Sequence, residues 1–257
     1  MVHCAGLTTV TQRVGFRRLT MATSLALARA CMTPSLSIVI PVLNESARMS
    51  AALQALATLR HQGCEVIVCD GGSTDDTVSL CVGWADQVIT ASPGRARQMN
   101  TGAAVARGEV LLFLHVDTTL PADATAAIVR AVAQGAAWGR FDVHIDGRPG
   151  MLRVVAAFMN RRSRWTGIAT GDQAIFVRCS VFRALGGFPD QPLMEDIELC
   201  RRLRQHGHAL ACLRLQVRTS GRRWEERGVW RTIVLMWQLR WRYWRGTSAE
   251  TLARLYR

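Results

Sequence analysis

The sequence predicts an α/β fold, a Rossmann-like and mostly parallel sheet flanked by helices, followed by a basic amphipathic C-terminal helix. Three observations carry this. Short runs of branched apolar residues alternate with segments of helical spacing, the pattern of parallel strands joined by helical crossovers. Three of the runs end in polar or acidic residues: Asn44–Glu45, Asp70 and Asp117. Acidic strand ends gathered on one sheet edge point to a ligand site, because open α/β sheets bind their ligands there.

The elements follow in order. Residues 1–33 hold four Arg, no acid and many small or hydroxyl side chains. That composition fits a disordered or non-native extension, with Met32 as an alternative start, and it is set apart from the fold. Ser35–Val42 is branched and reads as a strand. In Ser46–Leu59 the residues Met49, Leu53, Leu56 and Leu59 recur at helical spacing. Glu65–Cys69 is a second buried strand. A helix over Val78–Trp84, a short strand over Gln87–Ile89 and a helix over Arg97–Arg107 come next. Leu111–Leu114 is apolar without a break, as in a strand buried on both faces, and Pro121 ends any pairing. The second half reads as a helix (Pro121–Ala133), a strand (Trp138–Ile145), a helix (Met151–Met159), a strand (Ala174–Val177) and a helix (Cys179–Leu185) stopped by Gly186–Gly187. A helix start at Met194–Leu199 and a strand at Cys212–Val217 complete it. The expected divisions are 1–33, a domain over 34–224 made of halves 34–120 and 121–224, and a tail over 225–257.

No apolar run reaches the ~18 residues of a membrane-spanning helix. All 32 basic residues are arginine. Residues 34–200 carry 14 Arg against 16 acids, whereas residues 201–257 carry 14 Arg against 3. A basic tail on a nearly neutral body suits phosphates or lipid head groups. Nucleic acid is not an expected partner, since no reading motif accompanies the charge. The eight cysteines form no CxxC pair and read as reduced thiols of a cytoplasmic protein. Arg161, Arg162 and Arg164 read as a solvated face. From Val229 to Gly246, Trp230, Ile233, Val234, Trp237, Trp241 and Trp244 recur every three to four residues, with Arg231, Gln238, Arg242 and Arg245 among them. Such a helix suits an anionic membrane surface on the cytoplasmic face, and equally a Trp stripe packed on the domain's own core or on a partner chain.

The chemistry-bearing residues sit at the strand ends. Asp70 can accept hydrogen bonds from a ribose or a base N–H, Gly71 and Gly72 allow close backbone approach, and Ser73 or Asp75 can cap the next helix. GxGxxG and GxxxxGK[ST] are both missing, which removes support for dinucleotide and P-loop readings. His115 and Asp117, two apart in an extended segment, share one side. Glu195, Asp196 and Glu198 stand at a helix start, where the dipole favours acids in any case.

Taken in order, PVLNE, CDGGSTDDT, GRARQMNTGAAVARGEVLLFLHVD, GDQAIFVR and GGFPDQPLMEDIEL resemble the family 2 glycosyltransferases of the GT-A fold, over roughly residues 34–224. The pattern is most similar to the bacterial radical-SAM/selenodomain-associated subgroup of the arsenosugar biosynthesis type. The resemblance implies an inverting glycosyltransferase that uses a nucleotide-diphosphate sugar, a UDP-sugar favoured, with a small-molecule or lipid-linked acceptor. It places the nucleotide sugar at Pro41, Asn44, Glu45, Asp70, Gly71 and Ser73, and at Arg95, Gln98, Asn100 and His115. It makes Asp117 the ligand of Mn²⁺ or Mg²⁺, Asp196 the general base with Glu195 as second candidate, and Gly171, Asp172 and Gln173 the acceptor side. Arg222 and Arg223 are expected at the diphosphate. His115 departs from the family's usual Asp; an imidazole suits the sugar's hydroxyls, or the orienting of Asp117, and as a ligand it suits Mn²⁺ over Mg²⁺. The longer Gln-x-x-Arg-Trp signature of processive members lacks its Gln here. The alternatives are a nucleotidyltransferase on a similar core and a non-catalytic basic protein of membrane surfaces.

Overall fold

The apolar runs of the first half become four parallel strands. They are β1 (Leu36–Val42), β2 (Glu65–Asp70), β3 (Gln87–Thr90) and β4 (Val110–Phe113). The computed structural model describes residues 35–256, so the expectations for residues 1–33 lie outside it. Helices α1 (Ser46–His61) and α2 (Arg95–Val105) connect these strands. The second half supplies β5 (Thr118–Thr119), α3 (Ala124–Ala133), β6 (Trp138–Asp146), α4 (Met151–Thr166), β7 (Phe176–Arg178) and α5 (Cys179–Ala184). Then come α6 (Glu195–Gln205), β8 (Leu210–Ser220), α7 (Arg222–Arg227), α8 (Val229–Trp244) and α9 (Ala249–Tyr256).

One curled sheet runs in the order β3-β2-β1-β4-β7-β6-β8-β5. Pairing is parallel from β3 to β4 and between β6 and β8, while β7 is antiparallel to both its neighbours. Successive side chains of a strand face opposite ways. Thus Ile38 and Ile40 enter one core with Val66, Val68 and Leu112, and Val39 enters the other with Ile67, Leu111 and Phe113. Burial on both faces is why these strands read as continuous apolar runs. Glu65 opens β2 as a buried carboxylate. Ser37 and Arg107 donate to it from both sides, at 2.6 Å and 2.8 Å.

Four local expectations change. The helix expected over Val78–Trp84 is only a 3-10 turn at Ser79–Cys81. Val78, Val82 and Trp84 stay exposed and Cys81 is the one fully buried residue of the turn, which is little burial to offset the nucleation of a longer helix. Helix α4 runs past Met159 to Thr166 and carries the arginine cluster within it. Strand β8 runs on to Ser220, and Thr118–Thr119 pair with Thr219 and Arg218. This last pairing seats Ser220 N–H against the Asp117 carbonyl at 3.3 Å. Finally, α8 and α9 build a third core of Met194, Leu239 and Leu252, packed on Leu193 and Ile197 at the start of α6.

A candidate active-site cleft at the sheet edge

The ends of β1 and β2 are tied to each other before any ligand is considered. Asp70 is buried, and its carboxylate accepts the N–H groups of Gly72 (2.9 Å) and Ser73 (3.0 Å) together with the Ser73 hydroxyl. Ser73 Oγ in turn accepts Asn44 N–H at 2.8 Å, and Asn44 Oδ1 accepts Thr74 N–H at 2.9 Å. The Thr77 hydroxyl donates to Asp75, which also accepts Ser46 N–H at the start of α1, and its carboxyl is held near a pKa of about 2. Gln98 reaches from α2 and donates its amide to Val42 O (2.6 Å) and Cys69 O (2.8 Å), locking the two strand ends. A Cβ on Gly71 would meet that amide at 3.0 Å, so any side chain there would press on the Gln98 lock.

Beside these ends a narrow cleft is lined by Arg95, Met99, Phe113, His115, Gly171, Ile175, Phe188, Glu195 and Asp196. Its floor is aromatic: Phe113 meets Phe188 edge-on at 4.7 Å and Phe182 at 5.1 Å. Asn100 fixes the loop over it, donating to Phe188 O and accepting Phe188 N–H at 2.8 and 2.9 Å. Met194 turns the chain into α6 with φ of 67°, a left-handed conformation that costs roughly 1–2 kcal/mol in a residue with a side chain. Asn44 (φ 53°) and Ala174 (φ 46°) are the other non-glycine residues of this kind among those described. All three adjoin the cleft loops, as stored strain at working sites often does.

Asp196 sits at the head of α6. It accepts Gly171 N–H (2.8 Å) and Ile197 N–H (2.7 Å), yet burial and the adjacent Glu195 carboxylate push its pKa up to about 6. Glu195 is buried and faces Arg95 at 3.6 Å. His115 Nδ1 lies 3.3 Å from Asp172 Oδ1, and its ring rests on Gly171, where a Cβ would come within 2.5 Å. Burial raises the Asp172 carboxyl, but His115, Arg95 and Arg223 outweigh it and hold the group below its ordinary value. Arg223 lies within electrostatic reach of Asp172, Arg95 and Asp117. Its guanidinium hydrogen-bonds the Tyr256 hydroxyl and stacks 5.1 Å over that ring.

The fold thus gathers Arg95, His115, Asp117, Gly171, Asp172, Glu195, Asp196 and Arg223 on one side of the sheet edge. Others among the sequence-predicted residues are turned to different work. Gln98 and Asn100 spend their amides on backbone, Gln173 is fully buried and donates to Ser163 Oγ at 3.0 Å, and Arg222 faces Glu226 at 3.8 Å. Pro41 is half-buried next to the β1 end, and Glu45 pairs with Arg48 at 2.6 Å. Two residues of the cleft region were not foreseen. Tyr256 belongs to α9, which the sequence reading left undivided within the tail. Arg162 was read as solvated, yet its Nε and Nη2 are buried without a hydrogen-bond partner among the described residues. Burial lowers its pKa, while Asp196 and Cys200 beside it pull the other way.

A Glycosyl transferase family 2 model matches residues 37–186, more than half of the chain. The chain belongs to that family. The probable glycosyltransferase YdaM of Bacillus subtilis (strain 168) is 26% identical over 244 residues, covering 85% of this chain and 56% of YdaM. The O-antigen chain rhamnosyltransferase WbaN of Salmonella anatum is 26% identical over 211 residues, covering 73% and 66%. The family 2 chain therefore spans less than two thirds of the length of either relative. Among solved structures, S. aureus TarS superposes with a TM-score of 0.59 at 16% identity, covering 73% of this chain and 60% of TarS. The mannosyltransferase PcManGT of Pyrobaculum calidifontis, in complex with GDP-Man and Mn²⁺, gives 0.58 at 22%, covering 73% and 57%. Glucosyl-3-phosphoglycerate synthase of Mycobacterium tuberculosis, with Mn²⁺ and UDP, gives 0.55 at 21%, covering 82% and 78%. The α/β architecture expected from the sequence is the one these neighbours share.

A divalent ion fits this family 2 cleft in one way. Among the described residues, no three His, Cys, Asp or Glu side chains are gathered closely enough to hold an ion alone. Asp117 is half-buried, and its carboxylate meets only the Thr118 hydroxyl, at 3.5 Å, among the hydrogen bonds of the described residues. Its oxygens are hard donors with lone pairs to spare. Mg²⁺ and Mn²⁺ commonly take one or two carboxylates and complete their shell with substrate phosphates and water. The residues present fit an ion shared with a diphosphate, and do not fit a closed structural site.

Proposed function

We propose that this protein transfers a sugar from a nucleotide-diphosphate sugar to an acceptor hydroxyl with inversion at the anomeric carbon. The observation that carries the reading is Asp196: a carboxylate raised to about 6, fixed by two backbone N–H groups, in a cleft that also presents Arg95, His115 and an aromatic floor. A base of that pKa is ionised at neutral pH and still basic enough to take a proton. The acceptor oxygen forms the new bond to the anomeric carbon as the bond from that carbon to the diphosphate oxygen breaks. The acceptor's proton goes to Asp196, and the electron pair leaves with the diphosphate. Arg95, facing Glu195, partly balances the charge of the carboxylate pair, and Glu195 is the second candidate for the base.

The tied β1 and β2 loops, with Asn44, Glu45 and Asp70–Ser73, would seat the nucleoside. Arg223 would meet the leaving phosphates, with Arg222 at the same helix start. Asp117 would hold Mn²⁺ or Mg²⁺, whose positive charge offsets the charge developing on the leaving group. His115, held by Asp172 and Gly171, is placed for a sugar hydroxyl better than for a metal. We favour a UDP-sugar as donor and a small-molecule or lipid-linked acceptor, and we place the chain in the radical-SAM/selenodomain-associated subgroup on its motifs. Release of UDP or GDP from a panel of nucleotide sugars tests the reading. Wild type should release nucleotide in a metal-dependent way, Asp117→Ala should lose it, and Asp196→Asn should lose transfer while still binding the donor. Undetectable nucleotide binding by wild type would sink the reading.

A further inference from the structure

Helix α8 presents two unlike stripes. Its inner stripe is packed: Thr232 and Leu239 are buried, and Leu235, Met236 and Tyr243 lie against the core built with α9. Its outer stripe is open: Trp230 (68% exposed), Val234 (53%), Trp237 (62%), Trp241 (58%) and Trp244 (81%). The tryptophans of this helix are therefore not core residues. One residue further on, about 100° around the axis, Arg231, Gln238, Arg242 and Arg245 form a parallel exposed stripe.

Helix α4 extends this surface. Val154, Phe158 and Trp165 are exposed at helical spacing, and Phe158 stacks on Trp237 at 6.0 Å with 26° between the rings. Arginines stay close to the aromatic faces, Arg161 over Trp165 at 4.8 Å and Arg245 over Trp241 at 5.2 Å. The next stripe of α4 borders a cleft of about 530 Å³ with Arg153, Arg161 and Arg164 in its wall. The one carboxylate there, Asp142, is already held by Arg140 and Arg164. An aromatic platform this wide is rare on a surface that meets only water.

We propose that the α4–α8 face docks on an anionic phospholipid bilayer, with its tryptophans in the head-group layer and its arginines on the phosphates. Charge chooses among the occupants. A second copy would set arginine stripe against arginine stripe, and residues 1–33 carry four Arg and no acid, so both repel this face. An anionic interface attracts it, and indole rings with snorkelling arginines are the side chains that suit the water–lipid boundary. No helix among the described residues is long and apolar enough to cross a membrane, so the contact lies in the interface plane. The proposal stands on surface geometry and does not depend on the transferase reading.

Flotation of the full chain with phosphatidylcholine vesicles, with and without phosphatidylglycerol, at about 0.15 M salt, tests it. The chain should float only with the anionic vesicles. Trp237→Ser with Trp241→Ser should weaken partition at least about tenfold through lost apolar burial. Arg242→Gln with Arg245→Gln should weaken it by about tenfold or more. Trp237 also stacks on Phe158 and Arg245 on Trp241, so the melting temperature of each variant is measured alongside, and a variant counts only where it stays folded at the flotation temperature. No flotation by the wild-type chain would overturn the proposal. So would equal flotation by the variants, or a dimer split by the Trp pair without any vesicle binding.

Discussion

At Asp196 charges of both signs compete. Burial and Glu195 push the carboxyl up to about 6, while Arg95 opposes them and Arg162, buried alongside, favours the charged form. As the proposed base, Asp196 would work only when ionised, so the rate should fall as pH drops through about 6. Arg162→Gln removes a positive charge from beside the carboxylate. The acid limb should then move to higher pH, and kcat at pH 6 should fall more than kcat at pH 8. A pH–rate profile of both proteins checks this, and an unmoved limb would leave Arg162 a packing residue only. The residue was legible in principle. Met159 and Ser163 lie on the buried stripe of α4, so carrying the helix on past Met159 turns Arg162 toward the interior. Ending it at Met159 leaves the arginines without a helical phase, and charge without one reads as a solvated face.

Among the elements, α2 shows how closely the helices must approach the sheet to hold the cleft. A Cβ on Gly102 would meet Cys69 Sγ and Val39 Cγ1, each at 2.5 Å. Alanine is the better helix former by roughly 1 kcal/mol, but overpacking typically costs about 1–3 kcal/mol. Gly102→Ala should therefore lower the melting temperature, measured by circular dichroism. The same helix carries Arg95 and Gln98, so nucleotide binding should weaken in parallel. Helix α9 reaches Arg223 through the Tyr256 side chain. Tyr256→Phe deletes the hydroxyl bonded to Arg223, a loss of about 1 kcal/mol, and should raise the donor KM about fivefold while kcat changes little. Strands β1, β2 and β4 were legible because burial on both faces leaves an unbroken apolar run. Strand β5 was not, because two residues carry no period, and its pairing with β8 depends on a partner 101 residues away at Thr219. The short turn at Ser79–Cys81 misled for the opposite reason, since Val78 and Val82 have helical spacing but stay exposed, while Cys81 and Leu80 alone of the turn reach the core.

The whole molecule divides the labour between protein and substrate. The sheet gathers Asp117, Asp172, His115 and Arg223 at one edge from β4, β5, β8 and the turn at Gly171, yet among the described residues no three metal-ligating side chains converge. An ion held by Asp117 must complete its shell with phosphate oxygens and water. Affinity for the ion and for the nucleoside diphosphate should then be coupled, each strengthening the other by the same factor. A ligand at a hundred times its Kd stabilises by about 2.7 kcal/mol, whereas one far below its Kd adds almost nothing. Millimolar Mn²⁺ alone should therefore leave the melting temperature nearly unchanged, and UDP alone should raise it slightly. Together they should raise it by more than the sum of the separate shifts. In Asp117→Ala the excess should vanish while the small shift with UDP alone remains. An equal shift with Mn²⁺ alone would mean that the protein builds a complete metal site by itself, contrary to the placement of these side chains. Chelation of the wild type should abolish transfer and leave the fold intact, because the third core and the two faces of the sheet, not the ion, hold the cleft open.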